Sequence, residues 1–475
     1  MKNHTFQGTI RANQIWSSFG DEVLVYFDPD VDGIISGYLA CKFCAKHGKK
    51  FQWYINSNRS HDWSLPLESV SGKDVIAVDF IITFEKVMEL CDAGVNLISM
   101  DHHKNGDVLI DYSSDYGTDG IVINNQYPFE EEDGRYLSGA GVVFETLISI
   151  DPEFDTLLNR QLVAITLLSD IREIENPLAE GYLYRLYSAK YDGFIRYLID
   201  STMGDRDFGF GLPKMDRNYV DYKFSPAINA CLRFNHQEDA VNFMFKNDSL
   251  DLFWRDKQQE LVRDLMSLIK VIELPHIKVC YFYESDVPLF HDVLSNFVGL
   301  TASKYLDGEK SVICYMINKE KTGIKRASFR GRINGLDYNM ELNNAQLFRC
   351  LGHNSAFGIK EIIPTKDTFI KASKICGRVE ENSGYERKII NVINMSMFVN
   401  SKAFLVAEDN MYKLTQNQTY IRYTGKNFTT HKRGANYTDW SLDGVLVKCF
   451  DVNLTPDKGL IMPILDRGML TFYLE

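Results

Sequence analysis

Short apolar runs alternate with helix-length stretches through the first hundred residues. Val23-Leu24-Val25-Tyr26-Phe27 has the length and side-chain shape of a buried strand. Ile34 to His47 has helical spacing and stops before Gly48. Val75-Ile76-Ala77-Val78 predicts a second strand, Phe84 to Asp92 a helix, and Val95 to Met100 a third strand. Strand–helix alternation of this kind predicts an α/β domain on a parallel sheet. In such sheets ligands sit at the carboxyl ends of the strands. All three strands run there into acid or histidine: Asp28, Asp79 and Asp101-His102-His103.

Residues 141 to about 270 are mostly helical in pattern, broken by a Gly-rich stretch from Gly204 to Gly211. A second α/β region begins near Ile277. It has expected strands at Ile277 to Tyr283, Ser311 to Ile317 and Arg326 to Arg332, a helix from Leu294 to Leu306, and a further helix before Leu351 to Gly358. From about residue 380 short strand-like runs follow one another: Ala403 to Val406, Thr419 to Tyr423, Gly444 to Phe450 and Met469 to Leu474. They predict a small β-barrel or sandwich. The expected units are a parallel-sheet domain at 1–175, a helical connector at 176–270, a smaller α/β domain at 271–378 and a β-rich domain at 379–475.

The chain has 475 residues, 45% of them apolar and 24% charged, which is ordinary globular usage and excludes wholesale disorder. No apolar run approaches the ~18 residues of a membrane span. The N-terminus lacks the apolar core of a signal peptide, so a cytoplasmic protein without membrane contact is expected. The net charge of −12 changes the picture more. A uniformly acidic surface repels phosphate backbones, so binding nucleic acid requires a local basic groove or bound metal ions. The nine cysteines are scattered and odd in number, as expected of reduced thiols. Cys41 and Cys44 form a lone CxxC with no second ligand pair at zinc spacing, and read as packing thiols.

The sharpest chemical signal is Asp28-Pro29-Asp30-Val31-Asp32-Gly33. Three carboxylates in one turn repel each other unless a cation neutralises them. A calcium loop of the EF-hand type also begins Asp-x-Asp-x-Asp-Gly, but its twelfth position here is Leu39 and a strand precedes it. Asp101-His102-His103 combines hard carboxylate with imidazole, which suits manganese or a similar divalent ion. Asp79 and Asp170 complete a series of four acidic motifs. Taken singly, each acid has a simpler reading as a helix cap or turn residue.

In this order the motifs resemble those of the DHH phosphoesterase superfamily, which they match at Asp28 to Ser36, Asp79, Asp101-His102-His103 and Asp170. Downstream, Ser328-Phe329-Arg330 and Leu351-Gly352-His353-Asn354-Ser355-Ala356-Phe357-Gly358 resemble the two signatures of the partner domain DHHA1. RecJ-type single-strand exonucleases look most similar. The triple Asp, the Leu137 to Phe144 helix start and His291 to Ser303 carry that likeness, and RecJ also has an oligonucleotide-binding (OB) barrel after DHHA1. Two departures stand out: Tyr26 in place of a His of many relatives, and Leu351-Gly352 in place of a double glycine.

The resemblance implies two divalent ions, Mn2+ first and Mg2+ as the alternative. Asp28, Asp30, Asp32, Asp79, His102 and Asp170 would hold them, with Asp79 as the bridge. His103 and Asp101 are the implied catalytic pair, His103 touching the scissile phosphate and Asp101 orienting a neighbouring His. Ser328, Arg330, Gly352 and His353 would hold the substrate phosphate, no organic cofactor being needed. Arg330 as an exposed strand residue and His353 as a core histidine are the plainer alternatives.

The implied reaction is metal-dependent 5′→3′ hydrolysis of single-stranded DNA. The implied partners are single-stranded nucleic acid or a short oligonucleotide, and single-strand-binding or repair proteins. Between 401 and 450, seven Lys or Arg face four Asp or Glu and interleave with tyrosines, which suits a single strand or equally a solvated face. Two other readings stay open. One is an enzyme of the nanoRNase, pAp-phosphatase or cyclic-dinucleotide phosphodiesterase kind. The other is a non-catalytic scaffold that binds nucleic acid.

Overall fold

The computed structural model describes residues 5–56, 63–103, 109–127, 132–170, 177–188, 190–203, 215, 219–306, 309–333, 336–352, 354–382, 388–392, 395–396, 419–433, 437–449, 454–459, 461–466 and 469–474. The Gly204 to Gly211 break, the expected strand Ala403 to Val406 and His353 lie outside them. The described elements form three sheets.

The first sheet contains β1 (Glu22–Phe27), β2 (Lys50–Ile55), β3 (Asp74–Val78), β4 (Asn96–Asp101), β5 (Ile110–Ser113) and β6 (Asp119–Asn124). Its order is β2-β1-β3-β4-β6-β5, parallel throughout except for β5 against β6. Side chains alternate between faces along a strand, and here both faces are apolar. Val23, Val25, Phe27, Ile76, Val78, Ile98 and Met100 face one core, with the helices Val31–Lys46 and Gly139–Ile150. Leu24, Tyr26, Val75, Ala77 and Leu97 face the other, with Val87, Leu90 and Cys91 of the helix Phe84–Asp92. Residues of the helices Pro177–Ser188, Gly193–Thr202, Ser225–Arg233 and Gln237–Lys246 join the first of these cores.

The second sheet contains β7 (Lys270–Glu273), β8 (Ile277–Tyr283), β9 (Ser311–Ile317), β10 (Ile324–Arg330), β11 (Phe348–Gly352) and β12 (Ala356–Ile362), in the order β11-β12-β10-β9-β8-β7. β8 and β9 are parallel and the other pairs antiparallel. The helix Lys366–Asn382 covers one face through Phe369, Ala372, Ile375 and Cys376. Leu261, Leu265, Val298 and Ala302 cover the other.

The third sheet contains β13 (Lys388–Val392), β14 (Thr419–Tyr423), β15 (Phe428–Arg433), β16 (Thr438–Leu442), β17 (Val445–Cys449), β18 (Ile461–Asp466) and β19 (Met469–Leu474). They run β13-β14-β18-β19-β17-β16-β15, a small β domain as expected. Asp443 and Gly444 join β16 to β17 with φ of 52° and 88°, the left-handed pair a two-residue hairpin turn requires.

Several boundaries differ from the sequence reading. The first long helix starts at Val31 rather than Ile34, because the Asp30 carboxylate accepts from the Gly33 N–H and starts it a turn early. The expected helix Leu294 to Leu306 is a 3-10 turn at Leu294–Phe297 followed by the helix Val298–Lys304. The strand expected to reach Arg332 stops at Arg330. All nine cysteines are free and buried, and burial pushes the Cys41 thiol well up and that of Cys44 to about 12. They pack rather than bind metal. Among the described residues no helix is long and apolar enough to cross a membrane.

Gly37 tests how tightly the first sheet is packed. A Cβ there would run into the ring of Phe27, which is fully buried. Replacing a helical Gly by Ala favours the helix by about 1 kcal/mol, whereas overpacking a core costs about 1–3 kcal/mol. Gly37→Ala is therefore expected to lower stability in denaturant unfolding. An unchanged or higher midpoint would show that Phe27 yields.

Candidate metal centre

Every acid of the cluster is delivered by the end of an element. Asp28 follows β1 and is buried. Asp30 caps the next helix, so the cap reading applies to it, and its carboxylate is committed to Gly33 through one oxygen at 2.8 Å. Asp32 lies in that helix's first turn. It accepts from the backbone N–H groups of Gly139 at 2.7 Å and Ala140 at 2.9 Å, the first residues of the helix Gly139–Ile150. Asp32 thus sits on the positive end of a helix dipole. Asp170 ends the helix Leu157–Ser169. Asp101 is the last residue of β4, with His102 and His103 directly after it.

Asp79 follows β3 with a φ of 65°, a left-handed conformation that is strained for a side-chain-bearing residue. Its N–H donates to the Met100 carbonyl at 2.9 Å, which holds it there. A Cβ on Gly139 would strike the Asp79 carboxylate, so any larger residue at that helix start must displace Asp79.

His102 stands at the middle. Its Nε2 lies 3.1 Å from Asp79 Oδ1 and 3.8 Å from Asp32 Oδ2, and its Nδ1 lies 3.6 Å from Asp170 Oδ2. Two overlapping triads result: Asp79, His102 and His103, and Asp32, His102 and Asp170, each with ligand-type atoms within 4.8 Å of one another. His103 Nδ1 meets Asp101 Oδ1 at 2.7 Å. A carboxylate there fixes the ring with its proton on Nδ1 and its lone pair on Nε2. Asn124 Nδ2 donates to Asp101 Oδ2 at 3.2 Å and to the His103 carbonyl at 2.7 Å.

The electrostatics are unfavourable as they stand. Burial, then Asp32, Asp30, Asp28 and Asp101, hold the Asp79 carboxyl well above the usual carboxylate range. Burial, then Asp170 and Asp30, do the same to Asp32, offset by the Ala140 and Gly139 N–H groups. A divalent cation among these oxygens and imidazoles would remove the repulsion. The donor set, hard oxygen with imidazole, fits manganese or magnesium chemistry.

Residues 22–169 match the DHH family, N-terminal domain. This segment is a DHH domain. No curated protein matches the chain. Similar solved structures include RecJ from Thermus thermophilus in complex with Mn2+, at 18% identity over 99% of this chain and 71% of that one, TM-score 0.64. RecJ of the same organism in complex with Mg2+ matches at 15% identity over 99% and 70%, TM-score 0.57. An exonuclease RecJ bound to manganese matches at 18% identity over 81% and 97%, TM-score 0.52. At these identities the likeness is one of fold, and the fold is RecJ-like.

The structure brings the buried Asp32, Asp79, His102 and His103 together with the part-buried Asp170, with Asp28, Asp30 and Asp101 close enough to perturb the group's charges. Asn124 takes part without having been singled out in the sequence reading, and Gly139 and Ala140, noted there only within the Leu137 to Phe144 helix start, prove to hold Asp32. The polar Asn124-Asn125 after the apolar Ile121-Val122-Ile123 was the readable signal for Asn124. Tyr26 points into the opposite core. Its hydroxyl meets Asn56 Oδ1 at 2.8 Å, and Asn56 Nδ2 reaches Asp28 Oδ1 only at 3.5 Å.

Ser328 and Arg330 form a separate group on one face of β10. No hydrogen bond or ion pair among the described residues joins them to the DHH cluster. Arg330 Nη1 donates to Ser328 Oγ at 2.8 Å and to the Phe329 carbonyl at 2.7 Å, and Nε donates to Ser303 Oγ at 3.1 Å. Among the described residues no carboxylate pairs with it. Burial lowers its guanidinium to about 10, still charged at neutral pH. Gly299 leaves room for it, since a Cβ there would come within 2.7 Å of Arg330 Nη2. Gly352 ends β11 with a φ of 127°.

Two outcomes test the centre. Raised carboxylate values in the fold mean that Asp79 and Asp32 contribute stability at low pH and lose it as pH rises above the usual carboxylate range. In chelator the melting temperature should therefore fall from mildly acidic to neutral pH. Manganese at a hundred times its dissociation constant should restore about 2.7 kcal/mol at neutral pH. No manganese shift there would sink the site. Asp79→Asn should abolish the shift while tolerating the left-handed backbone. Gly139→Ala, displacing Asp79, should weaken manganese binding in calorimetry by about tenfold or more with the fold intact. Undiminished affinity would show that Gly139 does not shape the site.

Proposed function

We propose that the chain is a metal-dependent phosphodiesterase, a RecJ-like exonuclease that degrades single-stranded DNA 5′→3′. The observation that carries this reading is the pair of triads sharing His102, buried except at Asp170, with its mutually repelling carboxylates. Asp28, Asp30, Asp32, Asp79, His102 and Asp170 would hold two divalent ions, manganese first. Such ions supply Lewis acidity toward a phosphoryl oxygen and an activated water at neutral pH.

The chain's own residues do the rest. Asp32, anchored on the Gly139 and Ala140 N–H groups, keeps one oxygen set fixed before substrate arrives, so little reorganisation is needed. His103, its ring held through Nδ1 by Asp101, would act in its imidazolium form, donating from Nε2–H to the scissile phosphate or the leaving oxygen. Arg330, a guanidinium with no carboxylate partner among the described residues and braced by Ser328 and Ser303, offers a charged fork to a phosphate. By resemblance to DHHA1, Gly352 and His353 would add backbone N–H groups to the phosphate. The third sheet, in a chain whose fold follows RecJ over nearly its whole length, favours a polymer substrate over a mononucleotide.

The test is manganese-dependent digestion of a long 3′-labelled single-stranded DNA beside a labelled five-nucleotide RNA, with Asp79→Asn as control. Loss of the long DNA by wild type alone is the expected outcome. Turnover of the five-mer alone would move the assignment to a short-oligonucleotide phosphodiesterase. No turnover of either would leave a cyclic-dinucleotide phosphodiesterase or a nucleic-acid-binding scaffold.

A further inference from the structure

The helix Lys366–Asn382 turns its apolar side into the second sheet and carries Lys371, Lys374 and Arg378 on its outer side. Their spacing of three and four residues puts all three on one face, over roughly 10 Å of helix. All are exposed, and among the described residues none has an ion-pair or hydrogen-bond partner. Some surface lysines elsewhere do pair with carboxylates, as in Lys86–Glu89, Lys257–Glu260 and Lys310–Glu273. Glu381 is close by and pairs with none of the three.

These cations line a concave surface. His276, Ala345, Leu347, Ile375 and Gly377 complete an open groove of about 610 Å³. Gly377 sets one wall, because a Cβ there would come within 2.7 Å of the His276 ring. The floor at Leu347, Ile375 and Ala345 is apolar, and the His276 side chain is 40% exposed beside it. A row of cations over an apolar floor with an exposed ring suits alternating phosphates and bases, since phosphates follow positive charge and bases stack on rings. In chain order the groove's helix leads directly into the third sheet.

We infer that this groove is a binding track for single-stranded nucleic acid, gripping substrate away from the metal centre through Lys371, Lys374 and Arg378. This rests on the nucleic-acid part of the functional reading but not on catalysis. With a net charge of −12, a polyanion can approach only at such a local exception or at bound metal ions.

The experiment is fluorescence anisotropy of a labelled twenty-nucleotide oligothymidylate with the full chain in chelator, over a salt series. K371Q/K374Q/R378Q should bind more weakly, with a slope of log affinity on log salt shallower by about 2, near 0.7 per lost cation. The pair K371Q/K374Q should show about two thirds of that change, which guards against a misfolded triple variant. Manganese-dependent hydrolysis of a 5′-phosphorylated dinucleotide should be unchanged in both. An unchanged slope in variants that melt like wild type would overturn the track. So would a wild type that does not bind the oligonucleotide, or inorganic polyphosphate competing as well as DNA at equal charge. A wild type that binds through these residues yet cleaves nothing keeps the track and removes the phosphodiesterase reading. Cleavage with an unchanged slope does the reverse.

Discussion

Carboxylates gathered out of water repel each other, and the first sheet gathers them at the ends of β1, β3 and β4. Asp79 and Asp32 are both held well above the usual carboxylate range by burial and by their neighbours. The fold tolerates that cost because other elements fix each acid in place. Two N–H groups from Gly139 and Ala140 hold Asp32, a backbone bond to Met100 holds Asp79, and Asn124 with His103 holds Asp101. A cation among them would turn the least favourable part of the structure into its most strongly tied part.

The same constraint accounts for small residues that otherwise look incidental. Asp79 adopts a left-handed conformation at a point where most side chains avoid it. Glycine at 139 leaves the Asp79 carboxylate its place, since a Cβ there would push that carboxylate aside. The N-terminus of the helix Gly139–Ile150 faces the acids rather than solvent, and its orphan N–H groups and dipole offset part of the repulsion. Backbone strain, glycine placement and helix direction are thus one arrangement with one cause.

Positive charge is distributed in the opposite way. In an acidic chain, the guanidinium of Arg330 and the row Lys371, Lys374 and Arg378 are left without carboxylate partners among the described residues. Both groups belong to the second sheet and its covering helix, while the acids belong to the first. Such a division lets one part of the chain take up cations and another take up anions.

The alternating strand and helix pattern of the first sheet was legible because its strands are apolar on both faces. Asp28, Asp79 and Asp101-His102-His103 were legible because each follows such a run directly. The edge strand β2 was not, since Lys50 to Ile55 is half exposed and its polar residues dilute the pattern. Asp30 read as one of three acids, each open to a cap reading, and only the backbone decided which of them caps the helix. Asn124, Ala140 and the Gly139 cradle depend on contacts between residues up to about a hundred positions apart, as does the unpaired state of Lys371, Lys374 and Arg378. Sequence alone determined which residue types end the strands, because a strand's period is local. Which atoms meet, and which charges find no partner, was decided by tertiary packing, because those distances are set by chain segments that no local pattern connects.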